Sequence, residues 1–235
     1  YGSNDETNKR LVKSTNNADY IIANSNFTKK LAIKVGIETS KINIIFPGIA
    51  KPKHINNLEK VKAKNIFKDS FPKIITVSRL EKRKGHDKIL MLIKNLKAKF
   101  PKIKYVSIGS GKEELNLSKL SKSLDIERDV IFLKNIEHDL KIALTAEANI
   151  FLMPSRIENK SVEGFGISFI EAASYGVGSI GGKDGGASDA IIHNKTGLIC
   201  DGNDLSVIYD SILNFMKNEN FIKYGKKSKK YSEKF

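Results

Sequence analysis

Short apolar runs alternate with longer amphipathic stretches along the whole chain. Seven runs are strand candidates: Tyr20–Ser25, Ile42–Phe46, Lys73–Ser78, Lys104–Ile108, Val130–Leu133, Ile150–Met153 and Val177–Ile180. They are short, β-branched and apolar at consecutive positions, as expected of parallel strands covered on both faces. Between them apolar residues return at helical spacing. Ile89, Ile93, Leu96 and Phe100 step by four, three and four; Leu117, Leu120 and Leu124 step by three and four. Leu205, Ile208, Ile212 and Phe215 repeat the stripe near the end. This alternation predicts βαβ units and an α/β fold with a doubly wound, Rossmann-like parallel sheet.

Two blocks meet at a seam. Residues 1–50 read as helix, strand, helix and strand, stopped by Pro47-Gly48. That is too little for a complete α/β domain, so the block reads as the C-terminal end of a second one. Residues 51–72, with Pro52, His54, Asn56 and Asn57, read as a linker with one short helix. A fuller series of strand–helix units occupies 73–217, and 218–235 form a basic terminal helix.

Composition narrows the class. The chain has 235 residues, 40% hydrophobic and 29% charged, which is ordinary for a globular protein with a core. No run approaches the roughly 18 apolar residues of a membrane span, and Tyr1–Arg10 contains no apolar signal region. The single cysteine, Cys200, excludes an intrachain disulfide and a cysteine-built zinc site. His54, His86, His138 and His193 lie far apart, so no metal is expected and a cytoplasmic location is. The net charge of +15 invites nucleic acid or an anionic membrane as partner. Only five of the 41 basic residues are arginine, however, and the lysines are spread over the full length as on solvated helix faces. The exception is the last stretch, where Lys223, Lys226, Lys227, Lys229, Lys230 and Lys234 interleave with Phe221, Tyr224, Tyr231 and Phe235. Such a tail suits an anionic bilayer, and equally a helix packing its aromatics on another domain.

Candidate chemistry gathers where loops follow strands, since ligands of open α/β sheets bind outside the carboxyl ends of the strands. Ser78-Arg79-Leu80-Glu81-Lys82-Arg83-Lys84-Gly85 leaves one strand. Arg79 and Lys84 suit a diphosphate, Arg through its planar fork and Lys as a point charge; a solvated basic loop explains the same charges. Pro154-Ser155-Arg156 leaves another, followed by an irregular stretch and by Glu163-Gly164-Phe165-Gly166-Ile167-Ser168-Phe169-Ile170-Glu171. Glu163 falls in the loop and Glu171 in the next helix, whose first amides suit an anion; two ordinary surface glutamates fit the spacing as well. Gly181-Gly182-Lys183-Asp184-Gly185-Gly186 makes a loop that a bulky ligand can approach, or a flexible connection. Gly109-Ser110-Gly111 lacks the third glycine of the dinucleotide fingerprint. No Gly-x4-Gly-Lys-Ser/Thr loop and no Gly-x-Ser-x-Gly elbow is present, which removes dehydrogenase, P-loop and serine-hydrolase readings.

The combination of Ser-Arg-Leu and Lys-Gly after one strand, two glutamates eight residues apart around Gly-Phe-Gly-Ile, and a Gly-Gly loop resembles the retaining glycosyltransferases of family 4. The resemblance covers about residues 18–217, and the insertion Ile157–Val162 before Glu163 is most similar to the branch of phosphatidylinositol mannosyltransferases. It implies the two-domain GT-B fold, with this chain supplying the donor-binding half and the acceptor domain preceding residue 1. By resemblance Arg79 and Lys84 hold the donor's diphosphate, Glu163 meets the transferred sugar and Glu171 the ribose. Ser78, Gly109, Gly164 and the amides near Phe165, Gly166 and Ile167 would complete the donor site, and Lys134 to Ile136 would lie near the base. The family transfers a hexose with retention, from GDP-mannose or a UDP-sugar and without a metal or other cofactor. The acceptor would be a lipid-linked sugar or polysaccharide, worked on at the cytoplasmic membrane face and without nucleic acid. Two departures stand out: Ser188 and Asp189 replace the usual Pro-Glu, which shortens that carboxylate's reach, and Gly178 stands where relatives carry proline. An epimerase or phosphorylase on the same fold, and a basic lipid- or nucleic-acid-binding module, are the alternatives.

Overall fold

The computed structural model describes residues 5–235; the first four positions of the block drawn over 1–50 lie outside the described residues. In chain order the elements are α1 (Asp5–Asn16), β1 (Ile21–Ala23), α2 (Asn26–Lys34), β2 (Ile42–Ile44), α3 (Asn57–Phe67), β3 (Lys73–Val77) and α4 (His86–Lys97). They continue with β4 (Lys104–Ile108), α5 (Glu114–Ser123), β5 (Val130–Leu133), α6 (His138–Glu147), β6 (Ile150–Met153) and α7 (Ile167–Ser174). The last are β7 (Ser179–Gly182), α8 (Ala187–Ala190), β8 (Gly197–Cys200), α9 (Leu205–Met216) and α10 (Asn220–Ser232).

β1 and β2 pair parallel as a small separate sheet, and the other six strands form one parallel sheet in the order β5-β4-β3-β6-β7-β8. This is the doubly wound order, with the winding reversing between β3 and β6. Consecutive apolar residues explain its two covered faces, since neighbours on a strand point to opposite sides. Ile74, Tyr105 and Leu152 pack on one side with Ile89, Ile93 and Leu96 of α4, Leu117 of α5 and Ile208, Ile212 and Phe215 of α9. Ile75, Val106 and Phe151 face the other, with Phe67 of α3, Leu144 of α6 and Phe169 and Ile170 of α7.

Two strand expectations are corrected. The run at Val177–Ile180 enters the sheet two residues later, so Gly181 and Gly182 are strand residues rather than loop. A Cβ on Gly182 would stand 1.7 Å from the Ser155 carbonyl oxygen, so glycine is needed there for two backbones to meet. The edge strand β8 was missing from the pattern: Gly197-Leu198-Ile199-Cys200 is only four residues long and follows the turn at Asn194.

The terminal aromatics pack on protein. Phe221 of α10 lies 6.0 Å from Phe71, and Tyr224 lies 4.8 Å from Phe215, between ring centroids. Phe235 completes a triad with Phe46, just after β2, and Phe165, each pair 5.7 Å apart. The lysines of α10 stay exposed on the opposite side. Among the described residues no helix is long and apolar enough to cross a membrane.

The first block is fastened to the large sheet by a polar latch. Ser25 caps α2 through the Thr28 amide, and Asp189 accepts from the Asn26 amide at 2.8 Å, the Asn26 side chain at 2.7 Å and the Phe27 amide at 3.4 Å. A carboxylate at a helix start satisfies orphan amides and complements the helix dipole. Asp189→Ala is expected to cost about 1–2 kcal/mol, lowering the melting temperature by roughly 2–6 °C. Asp189→Asn should retain part of that difference. Differential scanning calorimetry decides it, and an unchanged melting temperature would show the latch to be inert.

Candidate functional site

The strand order reverses between β3 and β6, the place where open α/β sheets form their ligand crevice, and the basic and glutamate motifs lie after those two strands. After β3 the chain passes Ser78 and Arg79 and tightens into a 3-10 turn, Lys82–Lys84. Gly85 then takes the left-handed conformation, φ 80°, and starts α4. After β6, Pro154, Ser155 and Arg156 are buried, and a small hairpin turn through Asn159 and Lys160 leads to Glu163.

Glu163 is the hub. Its side chain is 11% exposed and its Oε2 is shared by the Lys84 ammonium and, at 3.2 Å, by Nη1 of Arg83. Burial pushes the Lys84 ammonium below its usual range, and Glu163 opposes the shift. Arg79 projects outward, 71% exposed, with Nη1 2.8 Å from Glu81. Arg79 and Lys84 therefore do not meet each other; each is held by a different carboxylate.

The remaining predicted residues are distributed around this hub. Gly164 lies against the Asn24 side chain, and its carbonyl accepts from Thr28. Phe165 is buried in the aromatic triad. Gly166, at φ 88°, has no side chain to cap α7, so the first amides of that helix, from Ile167 on, lack a side-chain acceptor. Ile167 itself is exposed. Glu171, half-buried on α7, makes no side-chain hydrogen bond or ion pair, and it lines a cleft of about 570 Å³ with Val77, His138, Lys141, Ser168 and Tyr175. Gly109 packs under Ser78, where a Cβ would stand 2.0 Å from the Ser78 carbonyl oxygen. The Gly-Gly loop packs on its neighbour: a Cβ on Gly186 would stand 2.1 Å from the Gly164 carbonyl oxygen, and the Gly186 amide donates to the Glu163 carbonyl at 2.8 Å.

Three groups went unrecognised in the sequence. Arg83 was counted with a solvated basic run, yet it is buried between Glu81 and Glu163. Arg156, 4% exposed, makes a two-pronged pair with Asp87, both contacts 2.9 Å, which ties the β6 loop to the start of α4. His86 is buried beneath Ser78. Its Nε2 lies 3.0 Å from Ser78 Oγ and its Nδ1 2.8 Å from the Tyr105 hydroxyl. That hydroxyl donates to Thr76, which donates to the Leu152 carbonyl, so Nδ1 is assigned the proton, while the Ser78 hydroxyl beside Nε2 also lies within donating distance of the Arg79 carbonyl, at 3.2 Å. One polar thread thus connects β6, β3, β4 and the first residue of the site.

With this geometry in view, the sequence pattern of the family described as "Glycosyl transferases group 1" matches residues 57–235. The chain belongs to that family. Its relatives include the GDP-mannose-dependent alpha-(1-6)-phosphatidylinositol monomannoside mannosyltransferase of Mycolicibacterium smegmatis, 31% identical over 143 residues, 60% of this chain and 37% of the relative. The phosphatidylinositol N-acetylglucosaminyltransferase gpi3 subunit of Schizosaccharomyces pombe is 25% identical over 92% of this chain and 46% of the relative. The chain thus spans less than half the length of these curated relatives. Among solved structures, Anabaena HepE in complex with UDP and glucose superposes with a TM-score of 0.84 at 18% identity, covering 97% of this chain and 62% of that one. The sucrose-phosphate synthase of Thermosynechococcus elongatus also gives 0.84, at 20% identity, covering 99% and 58%. These likenesses establish the fold as that of GT-B glycosyltransferases.

Burial lowers His86 from 6.5 to about 4, so the unfolded chain takes up a proton across that range and the folded family member does not. The stability conferred by neutral His86 is complete above pH 6.5 and is lost as pH falls towards 4. His86→Gln should remove up to about 1.4 kcal/mol per pH unit from the acid slope of stability. Urea unfolding at pH 7, 6 and 5 tests this; equal slopes in parent and variant would rule it out.

Proposed function

We propose that this chain supplies the nucleotide-sugar-binding part of a retaining glycosyltransferase. The observation that supports the reading is the pairing of Lys84 with Glu163 across the two loops that follow β3 and β6, where the sheet order reverses, with Glu171 lining a cleft beside Val77 at the end of β3. Arg79 and Lys84 would take the donor's diphosphate, and their charge would stabilise it as it departs. Glu171, without a partner of its own, would accept the ribose hydroxyls in the cleft it lines. Glu163 would meet the hydroxyls of the transferred sugar, and the uncapped amides around Phe165, Gly166 and Ile167 the phosphate oxygens. Ser78, Gly109 and Gly164 would shape the floor, and Lys134 to Ile136 the side near the base. Attack on the same face from which the diphosphate leaves would retain the configuration, and no metal or other cofactor enters the transfer step.

GDP-mannose is the favoured donor, supported by relatives named for its use, with UDP-sugars next. The acceptor would be a lipid-linked sugar or a polysaccharide. The unpaired lysines of α10 would face the anionic cytoplasmic membrane.

Calorimetric titration with GDP, UDP, ADP and their sugar conjugates tests the donor reading. One nucleotide should bind selectively. Arg79→Ala and Lys84→Ala should each weaken it by roughly tenfold or more, and a double variant that binds like the parent would remove both from the site. Replacing Lys223, Lys226, Lys227 and Lys230 by Gln should reduce sedimentation with phosphatidylglycerol vesicles by at least about tenfold at low salt, and unaltered sedimentation would end the membrane assignment.

A further inference from the structure

Five charged side chains alternate in sign along the loops that follow β3 and β6. Arg79 touches Glu81 at 2.8 Å, Glu81 touches Nε of Arg83 at 2.9 Å, Arg83 touches Glu163 at 3.2 Å, and Glu163 ends on Lys84. Three cations against two carboxylates leave one positive charge over. The two ends of the row are Arg79 and Lys84; its middle is Arg83, whose Nη1 donates to Glu163 and whose Nε faces Glu81. The side chains of Arg83, Lys84 and Glu163 are 10%, 10% and 11% exposed, so water screens none of them well.

A diphosphate that draws Arg79 and Lys84 towards itself takes a partner from Glu81 and another from Glu163. A carboxylate left alone at such burial is strongly disfavoured. Among the described residues Arg83 is the neighbouring cation in contact with both: its Nη1 donates to Glu163 and its Nε lies 2.9 Å from Glu81 as a charge contact without a hydrogen bond, and a delocalised guanidinium spreads its charge towards two acceptors where a lysine is a single point. Its main chain is also fixed, because the Arg83 carbonyl accepts the Arg156 amide at 2.9 Å and Arg156 is clamped to Asp87.

We propose that Arg83 is a positioning residue of this site: it holds Glu81 and Glu163 as charge-paired carboxylates while Arg79 and Lys84 are released to the diphosphate of a nucleotide ligand. The ligand's identity rests on the donor-site reading; the hold on Glu163 does not. The ammonium of Lys84 supports the picture, since burial lowers it, Glu163 restores it in part and the like charge of Arg83 lowers it again, which leaves room for a further anion.

Thermal unfolding of the ligand-free chain tests the hold. Lys84→Met alone should shift the melting temperature little, because Arg83 keeps Glu163. Arg83→Met with Lys84→Met should lower it by roughly 6 °C or more, beyond the sum of the single variants, and adding Glu163→Gln should restore most of the loss. A Lys84→Met variant as damaged as the double, or no restoration by Glu163→Gln, overturns the proposal. Should the double variant not fold, the triple decides: folded supports it, unfolded overturns it. Titration with GDP and UDP tests the release. Arg83→Met should weaken binding about tenfold in the parent and less than about twofold in the Glu163→Gln background. Equal losses in both would show that Arg83 touches the ligand itself and would overturn the positioning role. If the parent binds neither nucleotide, the donor reading falls and the release with it, while the thermal arm still decides whether Arg83 alone secures Glu163.

Discussion

Everything in the site depends on β3 pairing with β4 on one side and β6 on the other. Because the chain winds outward in opposite directions from β3 and β6, their carboxyl ends mark the ligand crevice of an open α/β sheet, and the two loops leaving them meet, the Arg156 amide donating to the Arg83 carbonyl at 2.9 Å. A ligand there meets the ends of two strands and the starts of two helices. The polar thread from the Leu152 carbonyl through Thr76, Tyr105 and His86 to Ser78 lies beneath that crevice and joins the strands on either side of the reversal. A buried thread of this kind is stable only when each member is satisfied, so it also fixes where Ser78 and Arg79 begin.

The crevice pairs its charges in the absence of a ligand. Glu163 holds Lys84 and Arg83, and Glu81 holds Arg79 and Arg83. Loose surface lysines would cost nothing to keep free, but Lys84 and Arg83 are buried, and isolated buried cations are far more expensive than paired ones. The pairing therefore preserves basic groups at a dry site, where their attraction for phosphate is strongest.

The fold was legible because it is written in consecutive apolar pairs. Ile74-Ile75, Tyr105-Val106 and Phe151-Leu152 each contribute one residue to either face, a pattern that only a doubly covered strand satisfies. The edge strand β8 escaped because Gly197–Cys200 is short and has a single neighbouring strand. Gly181 and Gly182 were misplaced because glycine signals a loop, whereas here it admits the Ser155 backbone. In the site, the positions of Glu163 and Glu171 followed from spacing and family resemblance. Arg83 and Arg156 did not, because nothing in a lysine-rich sequence distinguishes a buried guanidinium from a solvated one. Burial of charge depends on carboxylates far away in sequence, Glu163 for Arg83 and Asp87 for Arg156, and hydrophobic periodicity carries no record of such pairs.

The first block is not a passive appendage to this site. Its α2 is latched by Asp189, its Thr28 reaches the Gly164 carbonyl, and its Phe46 lies on Phe165. Two of these contacts land beside Glu163, on Gly164 and Phe165, and the third is to Asp189 in α8, which follows the loop whose Gly186 amide donates to the Glu163 carbonyl. A displacement of α2 or of Phe46 therefore acts directly on the backbone carrying the hub carboxylate. The terminal segment adds a second fastening, since Phe235 closes the aromatic triad and its carbonyl accepts the Ile49 amide at 3.1 Å. Phe235 is thus committed to this junction, Phe221 and Tyr224 pack on Phe71 and Phe215, and the lysine face is left for solvent or an anionic surface. The same helix can fasten the block to the sheet and present charge outward because the two tasks use opposite sides of one amphipathic period.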